Sequence, residues 1–320
     1  MVITIPIVSL GAGDDEECAL AVAAACTSTG FFYLADHGIP IELIDRVMAL
    51  NRQLFGMPLE VKAGLAADGN NRGWTAFQEE TLDPEHQAAG DTKEGFYFGR
   101  EVGAEEPEAR LPLHGPNQWP DEDLVPGYRA AMEAYYAALL QLGRRLLRLL
   151  ALSLELEADY FLSFFSRPLL FLRPLHYHAV LSSPGKGIFG AGAHSDYGML
   201  TLLITDDQPG LQIHLPQHGW LDVPPRPGCF IVNLGDMLER WTNGRYRSTL
   251  HRVINTTAKE RYSLAAFLDP NFDARVECLP QCCSADRPAR YPPTTAGQHI
   301  LDKYAATHAG FTAKPVPAEG

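Results

Sequence analysis

The sequence lacks the features of secreted, membrane-spanning and nucleic-acid-binding proteins. No basic segment followed by an apolar one opens the chain, and no apolar run is long enough to span a bilayer. Lysine and arginine are scarce, 26 against 39 acidic residues, and the formal net charge is −13. Because nucleic acids and anionic membranes repel such a chain, we expect neither as a partner. Together these absences predict a cytoplasmic protein.

Cysteine is also rare, and the few cysteines form no disulfide framework. The six are Cys18, Cys26, Cys229, Cys278, Cys282 and Cys283. With no sign of export we expect reduced thiols, as in a cytosol-like compartment. The neighbours Cys282 and Cys283 could indicate redox or metal chemistry, but no C-x-x-C partner lies nearby. An incidental pair in a loop is therefore the favoured interpretation.

What the chain does contain is ample apolar sequence for a core. Its 320 residues are 46% apolar and 20% charged, as is ordinary for a globular protein, and no internal repeat divides them. Short apolar segments separated by turn residues occupy positions 199–205, 210–214, 220–223, 229–234, 249–255 and 262–268. Strands at such spacing predict an antiparallel sandwich, jelly roll or barrel.

Helical patterns flank these strands. Residues 1–64 predict, in order, an edge strand at 3–8, a helix at 14–28, a strand at 31–34 and helices at 41–55 and 58–65. Apolar residues at three- and four-residue spacing predict a long helix at 125–154, and a last helix follows at 294–308. Residues 66–123 show little periodicity, so we expect loops there.

The sharpest local signal is His194-Ser195-Asp196, followed on a later strand by His251. Side chains alternate along an extended chain, so His194 and Asp196 point the same way. Two imidazoles and one carboxylate are the facial triad that holds Fe(II) and leaves positions open for substrate and O2. H-x-D alone arises often by chance, and a lone strand histidine is more often a core residue. The order, spacing and strand context together favour metal ligation.

Arg261 and Ser263 share one face of the strand that follows His251. We expect these two strands to form a hairpin across a loop at about 256–260. A guanidinium and a hydroxyl on one face suit a carboxylate, because the guanidinium fork binds it at two points and stays charged when dehydrated. The site could then take an acid whose other end chelates the metal. The alternative is that Arg261 is one more surface cation.

This block resembles the core of the isopenicillin N synthase-like 2-oxoglutarate/Fe(II)-dependent dioxygenases, in which H-[ST]-D, H and R-x-S occur in the same order. The segments GFFYLADHGIP at 30–40 and FGMPLEVKAGL at 55–65 resemble the N-terminal region of that family. The resemblance implies a mixed α/β fold: a double-stranded β-helix (jelly-roll) core, supported by a long helix and an N-terminal α/β region. It also implies three regions within one compact unit. Residues 1–120 form an N-terminal region with substrate-lining loops, residues 121–308 form the core with its backbone helix and C-terminal helix, and residues 309–320 form a tail.

The chemistry of this site is also implied by the resemblance. His194, Asp196 and His251 would hold Fe(II), while Arg261, Ser263 and Tyr177 would hold the co-substrate 2-oxoglutarate. With O2, such an enzyme oxidises a small organic molecule, with hydroxylation the expected outcome, and converts 2-oxoglutarate to succinate and CO2. Tyr177 lies within His176-Tyr177-His178, which looks like a metal pair. If Tyr177 faces the site, however, alternation turns both histidines away from it.

Candidates for contact with the substrate come from the irregular stretch 66–123. They are Arg72, Trp74, Phe77, Glu94, Phe96 and Phe98. Such residues could frame an amphipathic small molecule or could only anchor the loop. Two alternatives to the main hypothesis stay open: a 2-oxoglutarate-independent Fe(II) oxidase of the same fold, in which R-x-S also occurs, and a non-catalytic ligand-binding protein. Neither the substrate nor the oligomeric state has a signature in the sequence.

Overall fold

Fourteen strands and six α-helices form the part of the chain that the structure describes, residues 4–307 of a computed structural model. The helices are α1 (Asp15–Ser28), α2 (Ile41–Phe55), α3 (Leu59–Ala63), α4 (Tyr128–Ser153), α5 (Asp236–Trp241) and α6 (Ala296–Thr307). The strands are β1 (Ile7–Ser9), β2 (Phe31–Ala35), β3 (Gly73–Thr75), β4 (Lys93–Tyr97), β5 (Leu169–Tyr177), β6 (Ala191–His194), β7 (Leu200–Thr205), β8 (Leu211–Leu215), β9 (Gly219–Asp222), β10 (Phe230–Leu234), β11 (His251–Val253), β12 (Arg261–Asp269), β13 (Arg275–Val276) and β14 (Thr294–Thr295). The predicted end of the last helix at His308 and the predicted tail at 309–320 lie outside the described residues.

Most of these strands belong to two β-sheets. The larger sheet has the order β1-β2-β10-β7-β12-β5-β4-β3, and the smaller has the order β6-β11-β8-β9. All neighbours are antiparallel except β1 and β2, which run parallel. As predicted, the first strand lies at a sheet edge, where the proline that precedes it is tolerated.

The two sheets share an apolar core. Its buried members come from both sheets and the turns beside them: Phe31, Tyr33, Leu175, Tyr177, Ala191, Leu211, Ile213, Leu215, Val223, Ile231 and Val253. Two facing, mostly antiparallel sheets that close over a shared core form a jelly roll. The predicted fold class, an all-β core with flanking helices, is confirmed.

Helices cover the other face of the larger sheet. The long helix α4 buries Leu139 and Leu146 in the core, and α1 and α2 pack on it. It begins after Gly127, whose φ of 74° lies in the left-handed region that glycine tolerates. Helix α1 begins after Asp14, whose carboxylate accepts two backbone N–H groups of the first turn at 3.0 Å. This layer supports the strands that carry the candidate site.

The expected loops at 66–123 contain two strands of the larger sheet. Strand β4 is buried along its whole length although it begins with Lys93 and Glu94. Lys93 pairs with Asp91, and Glu94 pairs with Lys62. Because ion pairs rather than apolar side chains fill these positions, β4 shows no apolar alternation, and the prediction of loops missed it.

The predicted hairpin between the strands of His251 and Arg261 is wrong. Strand β11 pairs with β6 and β8 in the smaller sheet, whereas β12 pairs with β5 and β7 in the larger one. The chain therefore crosses between sheets over residues 254–260, a connection that local sequence cannot distinguish from a turn. As a result, His251 and Arg261 approach the space between the sheets from opposite sides.

Within residues 4–307, every helix is too short or too polar to cross a lipid bilayer.

Candidate active site

Three side chains converge at one end of the space between the sheets. His194 ends β6, Asp196 follows two residues later, and His251 begins β11 opposite His194 in the antiparallel register. The distances from Asp196 Oδ1 are 3.9 Å to His194 Nε2 and 3.6 Å to His251 Nε2, and the imidazole centroids are 4.3 Å apart. We call these three residues the triad. Their donor atoms lie close enough together to share one metal ion.

Backbone carbonyls orient both imidazoles of the triad. His194 Nδ1 lies 2.8 Å from the carbonyl oxygen of Gly192, and His251 Nδ1 lies 3.1 Å from that of Thr249. A carbonyl only accepts hydrogen bonds, so each Nδ1 carries the proton and each Nε2 offers a lone pair on the side of Asp196. Both histidines are thus in a metal-binding tautomer.

Asp196 is itself held by two donors from the larger sheet. The hydroxyl of Thr201 on β7 and the amide Nδ2 of Asn233 on β10, the latter at 2.7 Å, both donate to its Oδ2. Oδ1 is left to face the two imidazoles. Partners of this kind fix the orientation of a ligand and raise its affinity for a metal.

The protonation states in the triad also suit metal binding. Burial, together with the neighbouring His251, lowers the pKa of His194 to about 3. Burial alone would raise the pKa of Asp196, but the two imidazoles and the bonds from Thr201 and Asn233 outweigh it and hold that pKa below its usual range. Near neutral pH, His194 is therefore neutral and Asp196 is ionised, so protons compete weakly with a metal for these two ligands.

A buried cationic pocket lies beside the triad, on β12 and β5. Arg261, Ser263 and Tyr177 line it and are only 3%, 2% and 4% exposed. We call these three residues the anion pocket. Tyr177 lies opposite Arg261 in the strand register, with the guanidinium carbon 4.8 Å from the ring centroid. Among the described residues, nothing accepts from Nε or Nη1 of Arg261, and Oγ of Ser263 has no partner either.

These unpartnered atoms indicate which ligand fits the anion pocket. Burying guanidinium N–H groups without acceptors costs free energy, and a bound carboxylate with two oxygens would offset that cost. A 2-oxo dicarboxylate meets this requirement, because its second carboxylate can reach the arginine while its oxo-acid end serves the metal. The residues present therefore fit both Fe(II) and 2-oxoglutarate.

The cavity continues past the triad into a second chamber of about 620 Å³, its open mouth included. Its lining combines aromatic and aliphatic walls with a few polar groups: Glu80, Leu82, Tyr97, Phe171, Arg173, His194, Ser195, Asp196, Tyr197, Gly198, Phe267, Asp269, Ile300 and Tyr304. Leu82, Arg173 and Phe267 also line the part that holds the anion pocket, so the two parts adjoin. We call this second part the substrate chamber.

Comparison with known proteins agrees with this geometry. Residues 5–122 match the model of the non-haem dioxygenase in morphine synthesis N-terminal family, and residues 169–270 match that of the 2OG-Fe(II) oxygenase superfamily. The chain is 39% identical to the 2-oxoglutarate-Fe(II) type oxidoreductase hxnY of Emericella nidulans, over 88% of this chain and 82% of that protein. It is 36% identical to azadirone synthase LFS of Melia azedarach, over 93% and 91% of the two chains.

A solved structure is similar over nearly the whole fold. It is that of a full-length Neurospora crassa protein in complex with alpha-KG and thymine, with a TM-score of 0.84, 30% identity, and coverage of 94% of this chain and 96% of that one. The chain belongs to the 2-oxoglutarate/Fe(II) oxygenase superfamily. It is a 2-oxoglutarate/Fe(II)-dependent dioxygenase, which uses Fe(II), 2-oxoglutarate and O2 to oxidise a small organic molecule. The enzyme class and the cofactors predicted from the sequence are confirmed.

Three predicted substrate residues, two on β4 and one directly after it, do not reach the substrate chamber of this oxygenase. Lys93 and Tyr97 line the cavity, and period-two alternation therefore directs Glu94, Phe96 and Phe98 to the opposite face. There the rings of Phe96 and Phe98 stack at 4.7 Å in the core beneath α4. The expectation that these three contact the substrate is corrected: they support the strand from behind.

The other three predicted substrate residues also lie elsewhere. Arg72 donates to the carbonyl of Leu113 at 2.9 Å, and Trp74 Nε1 donates to the buried Glu94 at 2.7 Å. The ring of Phe77 packs edge-on against His178 at 4.6 Å. None of the three lines the cavity in the described structure. Where the sequence shows no regular period, tertiary contacts decide which way a side chain points, and the sequence alone does not reveal those contacts.

Several residues of the site were missed by the sequence analysis. Arg173 lies four residues before Tyr177 on β5 and on the same face, so strand alternation could have found it. Glu80 comes from a loop and Tyr304 from α6, and no local pattern places them beside Arg173. Asn233 is a polar residue within the apolar segment 229–234. Because a buried amide needs a hydrogen-bond partner, its position could have indicated that it supports a polar group of the site.

Asp91 ties the loop before β4 to the strand that carries His194. It is fully buried, pairs with Lys93, and accepts from the backbone N–H of Gly192 at 2.9 Å and from Gln87 Nε2 at 2.8 Å. Asp91→Ala leaves these donors short of an acceptor, and we expect it to lower the free energy of unfolding by about 3–5 kcal/mol. Urea denaturation followed by circular dichroism measures this loss.

An exposed aspartate provides the matched control for Asp91. Asp286 lies on a surface loop, and Asp286→Ala should change the free energy of unfolding by no more than about 0.5 kcal/mol. A loss below about 1 kcal/mol in Asp91→Ala would show that Glu80, which also pairs with Lys93 at 2.7 Å, is sufficient on its own.

Proposed function

We propose that the triad holds the Fe(II) of this oxygenase and that the anion pocket holds its 2-oxoglutarate. The observation that carries the assignment is the pair of unpartnered, buried N–H groups of Arg261, which adjoin three metal-type ligands in one cavity. A surface cation would have water for its donors, whereas a bound anion would satisfy the buried donors of this guanidinium. Fe(II) and a 2-oxo dicarboxylate would satisfy the two sets of residues together.

Bound Fe(II) supplies the activation of O2, coupled to decarboxylation of 2-oxoglutarate, that oxidises a C–H bond of the substrate. The chain's own residues hold the geometry and keep water away. Thr201 and Asn233 fix the carboxylate of Asp196, and the two sheets enclose the anion pocket. We propose hydroxylation as the outcome, because it needs only a C–H bond placed near the metal and no further acid or base.

The polar wall of the substrate chamber supports a substrate that both accepts and donates hydrogen bonds. Arg173 Nη2 donates to Glu80 Oε2 at 2.9 Å, and the guanidinium lies 4.3 Å from the ring centroid of Tyr97. Arg173 Nε is buried without an acceptor among the described residues. A carbonyl or carboxylate of the substrate could accept from Arg173 while a neighbouring N–H or O–H donates to Glu80.

The rest of the chamber favours a small ring. Phe171, Phe267 and Ile300 form apolar walls, and Tyr197 and Tyr304 add rings with hydroxyl groups. Such a lining suits a compact cyclic molecule with an apolar body and one polar edge. Thymine, named in the Neurospora complex, is a ring with adjacent N–H and C=O groups. We therefore propose a cyclic substrate whose edge carries an acceptor beside a donor, enclosed by loops of the N-terminal region, by the core and by α6.

A metabolite screen scored by succinate release would identify the substrate, and Arg173→Ala tests its recognition. Without the charged donor, we expect kcat/KM for the best substrate to fall about 10–150-fold. This range corresponds to the loss of one hydrogen bond to a charged group, about 1.5–3 kcal/mol. Arg173→Lys keeps the charge but loses the fork, so it should fall between wild type and Arg173→Ala. Steady-state kinetics at saturating 2-oxoglutarate give the ratio.

The control separates substrate recognition from damage to the anion pocket, since Arg173 borders both parts of the cavity. The affinity for 2-oxoglutarate in Arg173→Ala should stay within about threefold of wild type. If the best substrate has no acceptor group, or if Arg173→Ala leaves its kcat/KM unchanged, the proposed polar edge is wrong.

A further inference from the structure

A second group of metal-type ligands lies on the opposite face of the strands that carry the anion pocket. His176 and His178 flank Tyr177 at the end of β5, and alternation directs both imidazoles away from the cavity. Their ring centroids are 4.5 Å apart. Donor atoms of Glu94, His176 and His178 all lie within 4.8 Å of one another. The proposed function gives these histidines no role.

Glu94 determines which nitrogen of His176 is free. Its Oε1 lies 2.8 Å from His176 Nδ1, while its carboxylate also accepts from Lys62 Nζ and Trp74 Nε1, both at 2.7 Å. An ionised carboxylate only accepts, so His176 carries its proton on Nδ1 and offers the lone pair of Nε2. A carboxylate behind a histidine in this way is the usual support of a metal-binding imidazole.

The free nitrogens lack the partners that buried polar atoms normally have. Nε2 of His176 and Nε2 of His178 are both buried and make no hydrogen bond among residues 4–307, although a carboxylate oxygen lies within 4 Å of each: Glu260 Oε1 is 3.7 Å from His176 Nε2, and Glu94 Oε1 is 3.5 Å from His178 Nε2. His176 is only 6% exposed, so water does not readily satisfy it. Buried polar atoms that remain unpaired in a folded protein call for an explanation such as a bound ion.

A second carboxylate, that of Glu260, lies on the side of the free nitrogen of His176. Its Oε1 lies 3.7 Å from His176 Nε2, and its side chain is 56% exposed. Lys62 already compensates the charge of Glu94, so Glu260 would supply the negative charge that a cation requires. Because the side chains of Glu260 and His178 are partly exposed, an ion can reach them from solvent.

We propose that His176, His178 and Glu260 form a second metal site, with Glu94 orienting His176. Two imidazoles and one carboxylate favour a divalent transition ion of the zinc type over Mg²⁺ or Ca²⁺, which prefer oxygen ligands. The site lies back to back with the anion pocket, because Tyr177 faces the cavity whereas its neighbour His176 on β5 faces away from it, and Glu260 directly precedes Arg261, the first residue of β12. It is distinct from the triad and shares none of its ligands.

The test is a metal titration of the full-length, untagged protein in which the triad has been disabled. In the His194→Ala/Asp196→Ala background, Co²⁺ and Zn²⁺ should still bind with a stoichiometry of one ion per chain, whereas wild type should take up two. Co²⁺ also reports its ligands through its visible absorption. Adding His178→Ala to the background should weaken this binding at least about tenfold, since it removes one of two imidazoles.

The matched control is His86→Ala in the same background. His86 also lies 2.8 Å from a carboxylate, that of Asp83, but it is exposed, with no second imidazole in the same cluster. It should leave the stoichiometry unchanged. The proposal is overturned if the background binds no more metal than its His178→Ala derivative, or if His86→Ala lowers binding equally. Should the triad substitutions prevent folding, the comparison of wild type with His178→Ala alone, two ions against one, decides the question.

Discussion

Asp196→Ala is expected to abolish Fe(II)-dependent turnover of 2-oxoglutarate and to weaken Fe(II) binding at the triad by more than about 100-fold. This loss exceeds the 10–100-fold that is typical when a residue that only hydrogen-bonds to a metal ligand is removed. Asp196 is the one anionic member of the triad, and its Oδ1 lies within 4 Å of both imidazole nitrogens. Without it, two imidazoles and no anionic ligand remain to hold a doubly charged ion. Anaerobic Fe(II) titration, followed by a succinate assay, measures both effects.

A graded control shows whether Asp196 acts as a ligand or only stabilises the fold. Asn233 donates to Asp196 Oδ2 at 2.7 Å but offers no metal ligand. Asn233→Ala should weaken Fe(II) binding by only about 10–100-fold. The titrations belong in a His178→Ala background, so that the proposed second site does not obscure the first. Equal Fe(II) affinity in Asp196→Ala and its parent would remove Asp196 from the metal site.

The parts of this site that the sequence predicted are pairs of residues that lie close together in the chain. His194 with Asp196, and Arg261 with Ser263, are pairs two residues apart on extended chain, and alternation alone places each pair on one face. The family resemblance assigned Tyr177 to the site, and the structure has it facing the cavity, with its neighbours His176 and His178 turned away as alternation required. Predictions of this kind need only the period of a strand, and the chain contains enough turn residues to mark where its strands begin and end.

The parts that failed depend on contacts between distant segments. The chain crosses from one sheet to the other between His251 and Arg261, and nothing within 254–260 distinguishes that crossing from a hairpin turn. Strand β4 was missed because Glu94 is buried by Lys62, thirty-two positions away in sequence. The true lining of the substrate chamber joins Glu80 to Arg173 through one ion pair. Such pairings depend on the fold of the whole chain and produce no periodic pattern of apolar residues in the local sequence.

Arg261→Ala distinguishes the co-substrate assignment from the metal assignment, because Arg261 touches no member of the triad in the proposed arrangement. The guanidinium is 3% exposed, and its Nε and Nη1 lack acceptors among the described residues. Its removal takes away a charge-assisted, two-point contact and leaves the carboxylate of 2-oxoglutarate unpaired in a buried pocket. We expect a loss of about 2–5 kcal/mol in co-substrate binding, a rise in Kd from about 30-fold to several thousand-fold. Anaerobic titration of the Fe(II)-loaded protein measures it.

Two further variants make the result for Arg261 specific. Arg261→Lys keeps the charge but loses the fork, so its affinity for 2-oxoglutarate should lie between wild type and Arg261→Ala. Ser263→Ala removes one neutral hydroxyl and should cost about 1 kcal/mol. Fe(II) affinity should stay near the wild-type value in all three, since none removes a metal ligand. If Arg261→Ala binds 2-oxoglutarate within about twofold of wild type, the anion is held elsewhere. The other cations that line this cavity in the described structure are Lys93 and Arg173, and both already pair with Glu80.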